Sequence, residues 1–112
     1  MAKQKLSLTA SPTFKCTVGI PIPGAKETVP VEFIFIHRTK SELKVWRESI
    51  ELEPEGVTAA HVQEMAKAWD LDDVFDESSI TAMLEQYPGS GTAIYVRYLQ
   101  ESQDAKLGNF GK

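Results

Sequence analysis

Apolar and polar residues alternate strictly near the start of the chain. Phe14, Cys16, Val18, Ile20 and Ile22 are separated by Lys15, Thr17, Gly19 and Pro21. A period of two is that of a strand with one buried face. Pro23-Gly24 then marks a turn or loop running to about Thr28. A second strand follows, with Val29, Val31, Phe33 and Phe35 on one face and Pro30, Glu32, Ile34 and Ile36 on the other. Its distal end is therefore expected to be covered on both sides. The two strands should pair as a hairpin. Pro21 and Pro30 have no N–H to give to a ladder and suit edge positions.

Beyond His37 the apolar spacing lengthens to that of helices. Thr39-Lys40-Ser41-Glu42 has the form of a capping box, and Leu43, Trp46 and Ile50 follow on one helical stripe. Glu53-Pro54-Glu55-Gly56 breaks this helix. Thr58 caps a second, with the stripe Val62, Met65, Ala66 and Trp69; Asp76 caps a third, with Ile80, Met83, Leu84 and Tyr87. Tyr87-Pro88-Gly89 ends the third helix, and a last one carries Ile94, Tyr95, Tyr98 and Leu99. The pattern predicts an α+β fold: an N-terminal antiparallel β-hairpin followed by about four short helices packed as one domain, with no βαβ unit. Residues 1–12 read as a flexible lead, 13–107 as the single domain and 108–112 as a mobile Gly-rich tail.

The chain of 112 residues is long enough for one core and no more. With a single cysteine, Cys16, no intramolecular disulfide can form, and a reducing compartment is expected. No apolar run reaches the length of about 20 residues that spans a bilayer. The lead has no signal-peptide core. These features point to the cytoplasm, with no membrane partner. Residues 1–56 carry eight Lys/Arg and seven Asp/Glu, whereas residues 57–112 carry four and nine. An acidic half without a basic stripe elsewhere argues against a nucleic-acid partner.

Chemistry is hard to find. Taken as a calcium loop from Asp70, the acidic run has Phe75 where the turn needs glycine and Thr81 where a bidentate Glu belongs. Asp76, Glu77 and Ser79 instead fit a helix start. His37 and His61 have no metal-ligand neighbours in spacing, so no metal site is expected. Cys16 alternates with Phe14 and Val18 and reads as a buried thiol. Gly89-Ser90-Gly91-Thr92 follows a helix and lacks the Lys-Ser/Thr pair of a phosphate loop. No catalytic residue, no cofactor and no enzymatic activity are expected. The function left is protein binding, for which Trp46, Trp69, Phe33, Phe35 and Phe110 are the candidate contact residues. A free hairpin edge would add self-association or capture of a partner strand.

The order of these pieces resembles a known family. Strand, Pro-Gly turn and a strand ending Phe33-Ile34-Phe35-Ile36-His37 lead to a capped helix. Then come Ala68-Trp69-Asp70-Leu71-Asp72, Phe75-Asp76, Ile80, Leu84, Tyr87-Pro88-Gly89, Ala93-Ile94, Tyr98 and Leu99. The whole is similar to the tail assembly chaperones of long-tailed bacteriophages and prophages. That resemblance implies a protein that binds the tape measure protein and keeps it soluble in the bacterial host while tail tube subunits assemble around it. The tail tube subunits are then further partners. The alternative is a structural tail or head–tail connector subunit of a prophage, which would persist in finished particles. On the chaperone reading, apolar surface near Trp46 and Trp69 is expected to meet the client.

Overall fold

The computed structural model describes residues 12–50 and 56–104. The lead at 1–11, the helix-breaking segment at 51–55 and the tail with Phe110 lie outside the described residues. Strand β1 (Thr13–Ile20) pairs antiparallel with β2 (Val29–Ile36), with Phe14 opposite Phe35 and Cys16 opposite Phe33. The connection contains a turn in which Ala25 N–H donates to the Ile22 carbonyl at 2.9 Å. Pro23 supplies the fixed φ of its second position, and Gly24, at φ 84°, takes the left-handed third position of a type II turn.

Helix α1 (Lys40–Ser49) starts at the predicted box: Thr39 Oγ1 accepts from Glu42 N–H, and Glu42 Oε1 accepts from Thr39 N–H. Helix α2 (Ala59–Met65) starts at Thr58, α3 (Glu77–Gln86) at Asp76, and α4 (Ser90–Leu99) at Gly89. A π-helical turn, Gln100–Asp104, extends α4. The Val57 side of α2 and the start of α4 approach closely at Gly91, where a Cβ would stand 3.0 Å from that of Val57. A larger residue there would push the two apart.

One expected element is of a different kind. Residues Ala66–Trp69 leave α2 and form a third strand, β3, antiparallel to β2, so the sheet order is β1-β2-β3. Trp69 faces Phe33, Ala68 faces Ile34 and Ala66 faces Phe35, with Lys67 as the extra residue of a bulge. The bulge explains why a helix was expected. Strand neighbours on one face are normally two apart, but one inserted residue puts Ala66 and Trp69, three apart, on the same face. That spacing is also helical.

The face made by Cys16, Val18, Ile20, Val31, Phe33 and Phe35 is buried against the helices, which contribute Leu43, Trp46, Val62, Met65, Ile80, Met83, Ile94 and Tyr98. The opposite face holds Lys15, Thr17 and Glu32, with Ile34 and Ile36 half-buried. Tyr87, expected on the apolar stripe of α3, instead forms its C-cap and is exposed. A tyrosine at the last turn has no facing element to cover it.

Candidate functional site

The candidate contact residues separate into three environments. Phe33 and Phe35 are each 0% exposed, stacked on one another at 5.6 Å between ring centroids. They are the floor of the core and offer no surface to a partner, which corrects the expectation that they do. The physical reason is that the helices cover the whole apolar face of the hairpin.

Trp46 is also a core residue, at 7% exposure, and sits in a polar and aromatic knot. Its indole N–H donates to Glu64 Oε1 at 2.8 Å, and the Arg38 guanidinium lies 4.9 Å from the ring centroid. Arg38 donates to the Glu64 carbonyl at 2.7 Å and to the Tyr98 hydroxyl at 3.0 Å; that hydroxyl donates to the Ile36 carbonyl at 2.8 Å. Tyr95 and Tyr98 meet the Trp46 ring at 6.1 and 5.6 Å. The knot thus ties the end of β2 to α1, α2 and α4. Among the described residues no buried side-chain polar atom of this knot lacks a hydrogen-bond partner.

Trp69 is different. It is half-buried, its N–H donates to the Asp73 carbonyl at 2.8 Å, and its ring meets Phe33 at 6.1 Å and Phe75 at 5.1 Å. The loop 70–76 folds back over it. Asp70 holds the loop to the sheet in both directions: its N–H donates to the Glu32 carbonyl and its Oδ1 accepts from Glu32 N–H, both at 3.0 Å. Asp76 Oδ1 accepts from Ser79 N–H and caps α3. Between these anchors Leu71 and Val74 are exposed, at 37% and 71%, among Asp70, Asp72, Asp73 and Asp76. The acidic run is therefore a pinned loop presenting apolar side chains inside a negative rim. An exposed residue like Val74 on an ordered loop has no role in the core.

A concavity of about 250 Å³ lies where α3 and α4 meet the start of α2, with Val57, Ala59, Leu84, Pro88 and Gly91 in its wall. It includes neither tryptophan, so it is not the interhelical surface expected from the sequence.

The titratable residues are mostly structural. His61 Nδ1 accepts from Thr58 N–H at 3.1 Å, and Thr58 Oγ1 accepts in turn from His61 N–H at 3.4 Å. An imidazole here does what Glu or Gln does in the ordinary capping box, so the sequence template missed it. Burial pushes the Cys16 thiol above its ordinary pKa; the Arg97 charge opposes this and Glu101 adds to it. A thiol held protonated is a poor nucleophile. Among the described residues no three His, Cys, Asp or Glu side chains are grouped to hold a metal ion. No helix among them is long and apolar enough to cross a membrane.

The molecule is a small α+β fold whose polar side chains cap helices and tie elements together, and whose pinned loop 70–76 carries two of its exposed apolar side chains, Leu71 and Val74, with Val29, Val45, Tyr87 and Val96 exposed elsewhere. The family comparison is more particular: the model of the phage tail assembly chaperone family matches residues 1–109, and the chain belongs to that family. Comparison with curated proteins finds no match. Comparison with solved structures finds none either.

Proposed function

We propose that this chaperone binds the tape measure protein in the cytoplasm of the bacterial host, without catalysis or cofactor, and holds it soluble while tail tube subunits assemble. Family membership supports the reading, and one observation carries its structural side: Leu71 and Val74 stand exposed on an ordered, acid-rimmed loop beside half-buried Trp69 and Phe75. Such a surface suits weak, repeated contact with apolar segments flanked by basic residues. The apolar side chains give burial, and the negative rim favours cationic neighbours. Release then needs no nucleotide, because no single contact is strong.

The test is co-expression with the tape measure protein of the same tail gene cluster, followed by a solubility assay and inspection of purified tails. Soluble client with the chaperone missing from finished tails supports the proposal. Insoluble client with this chain present in the particles would replace it with a structural tail or head–tail connector subunit.

A further inference from the structure

Strand β3 closes at Trp69, and the residue that closes it is Asp70. Facing residues of a hydrogen-bonded antiparallel pair normally exchange two backbone bonds. Glu32 and Asp70 keep one of them: the Asp70 N–H donates to the Glu32 carbonyl at 3.0 Å. In the other, the Asp70 carboxylate stands where its own carbonyl belongs, and its Oδ1 accepts from Glu32 N–H at 3.0 Å. The short side chain of an aspartate competes with the backbone in this way, and the chain is free to leave the sheet.

Where the chain goes next depends on that exchange. In a ladder that ran on in the same register, Leu71 would pair with Val31 and Asp72 with Pro30. Paired residues share a face, and Val31 is buried on the helix side, so Leu71 would turn inward. Pro30 has no N–H and would gain such a ladder little. Instead Leu71 and Val74 stand exposed. Farther on, the Trp69 indole N–H donates to the Asp73 carbonyl, and Asp76 caps α3. Of these three fastenings, the one at Asp70 sets the direction in which the loop departs. Asp70 is itself exposed, so its side chain does not fill the core.

We infer that Asp70 is the positioning residue of the client surface, a role that rests on the reading of loop 70–76 as the contact with the tape measure protein. Its carboxylate, in place of its carbonyl opposite Glu32, turns Leu71 and Val74 outward to meet apolar segments of the client. The charge at position 70 is secondary, because Asp72, Asp73 and Asp76 keep the rim negative. The oxygen at position 70 supplies preorganisation: a loop already held in its bound direction loses less freedom on contact.

Capture, measured as soluble tape measure protein recovered on co-expression, tests the role. Asp70→Ala removes the acceptor and should lower capture by about tenfold, the scale of one hydrogen bond to a charged group. Its urea stability should change no more than for a surface substitution. Asp70→Asn keeps an accepting oxygen without the charge and should restore most of the capture. Adding Asp70→Ala to the pair Leu71→Ser and Val74→Ser should lower capture no further, because Asp70 acts only through those side chains. In the free chains, exchange of the Glu32 amide should quicken in Asp70→Ala and stay slow in Asp70→Asn. Wild-type capture by a folded Asp70→Ala would overturn the role. So would a folded Asp70→Asn that captures about tenfold less, which makes Asp70 a charge of the rim and no more; this comparison stands even where Asp70→Ala does not fold. A full additive loss in the triple variant would place the action of Asp70 outside the loop. Undiminished capture by Leu71→Ser with Val74→Ser is the distinct case. It removes the loop as the client surface, and the role of Asp70 falls with it even where Glu32 exchange follows the expected order.

Discussion

Trp46 and Trp69 are the two tryptophans of the chain, and the fold uses them in opposite ways. The indole N–H of Trp46 reaches a side chain 18 residues away, while that of Trp69 reaches a carbonyl only four residues on. Trp46 therefore joins elements, and its ring is enclosed by Arg38, Tyr95 and Tyr98. Trp69 pins one loop to the end of a short strand and remains half-buried. The difference teaches that a tryptophan's role follows from where its polar atom is satisfied: long-range satisfaction marks a core joint, and local satisfaction marks a platform for what the loop exposes.

The largest effect should come from removing the joint. Trp46→Ala deletes a large buried ring, together with the indole donor to Glu64 and the ring beside Arg38, a loss of about 3–5 kcal/mol. Trp69→Ala, at a half-exposed ring, should cost about half that or less, since burial scales with area. Urea denaturation of the two variants compares them directly. Equal losses would erase the distinction drawn between the two residues.

Tyr98→Phe sharpens the same contrast with a smaller change. It keeps the ring but strands the Ile36 carbonyl and one Arg38 contact, at a cost of about 1–3 kcal/mol. The equivalent edit on the other side, Phe75→Leu beside Trp69, leaves no polar group unpaired and should cost less. Thermal unfolding of the pair gives the order, and a Phe75→Leu loss exceeding that of Tyr98→Phe would contradict it.

The function-side counterpart is Leu71→Ser combined with Val74→Ser. Both side chains are exposed, so stability should change by no more than about 0.5 kcal/mol for each. Capture of the tape measure protein should nonetheless fall by about tenfold, as at an interface whose energy sits in a few apolar contacts. Undiminished capture by the double variant would move the client contact elsewhere, with the concavity beside Gly91 the next surface to probe.

What could be read from the chain divides along the same line as the tryptophans. The period-two alternation of the hairpin strands, the Pro-Gly turn and the caps at Thr39, Thr58 and Asp76 are local, set by residues within four positions of one another, and each was legible. The Trp46–Glu64 and Arg38–Tyr98 bonds join residues 18 and 60 apart, and no periodicity encodes such a pairing. β3 was misread for a sharper reason. Its bulge gives Ala66 and Trp69 a spacing that strand and helix share, and only pairing with Phe33 and Phe35 decides between them. Phe33 and Phe35 were legible as apolar strand residues, but their full burial depends on how many helices cover the sheet. The exposed Leu71 and Val74 had no signal of their own, because an apolar residue in an acidic run looks the same whether it packs or points to solvent.

The smallest predicted effect concerns how α1 presents Trp46. The backbone N–H of Thr39, donating to the Glu42 carboxylate, holds that group below its ordinary pKa, against a smaller opposing effect of desolvation. A carboxylate whose folded pKa is depressed binds protons less readily folded than unfolded. Its contribution is therefore present above the ordinary carboxylate value, about 4.3 for Glu, and is lost as pH falls through the depressed folded value. In a Trp69→Phe background, leaving Trp46 as the only indole, acid titration of the fluorescence should show a shallow step in that window. Glu42→Gln should remove the step while leaving the neutral-pH spectrum in place. In the reverse background, Trp46→Phe, the remaining Trp69 is tied to a loop that does not rest on α1, so the Glu42→Gln change should leave its acid titration unaltered. A step that vanished equally from both indoles would mean that the capping box acts on the whole fold and not through the joint at Trp46.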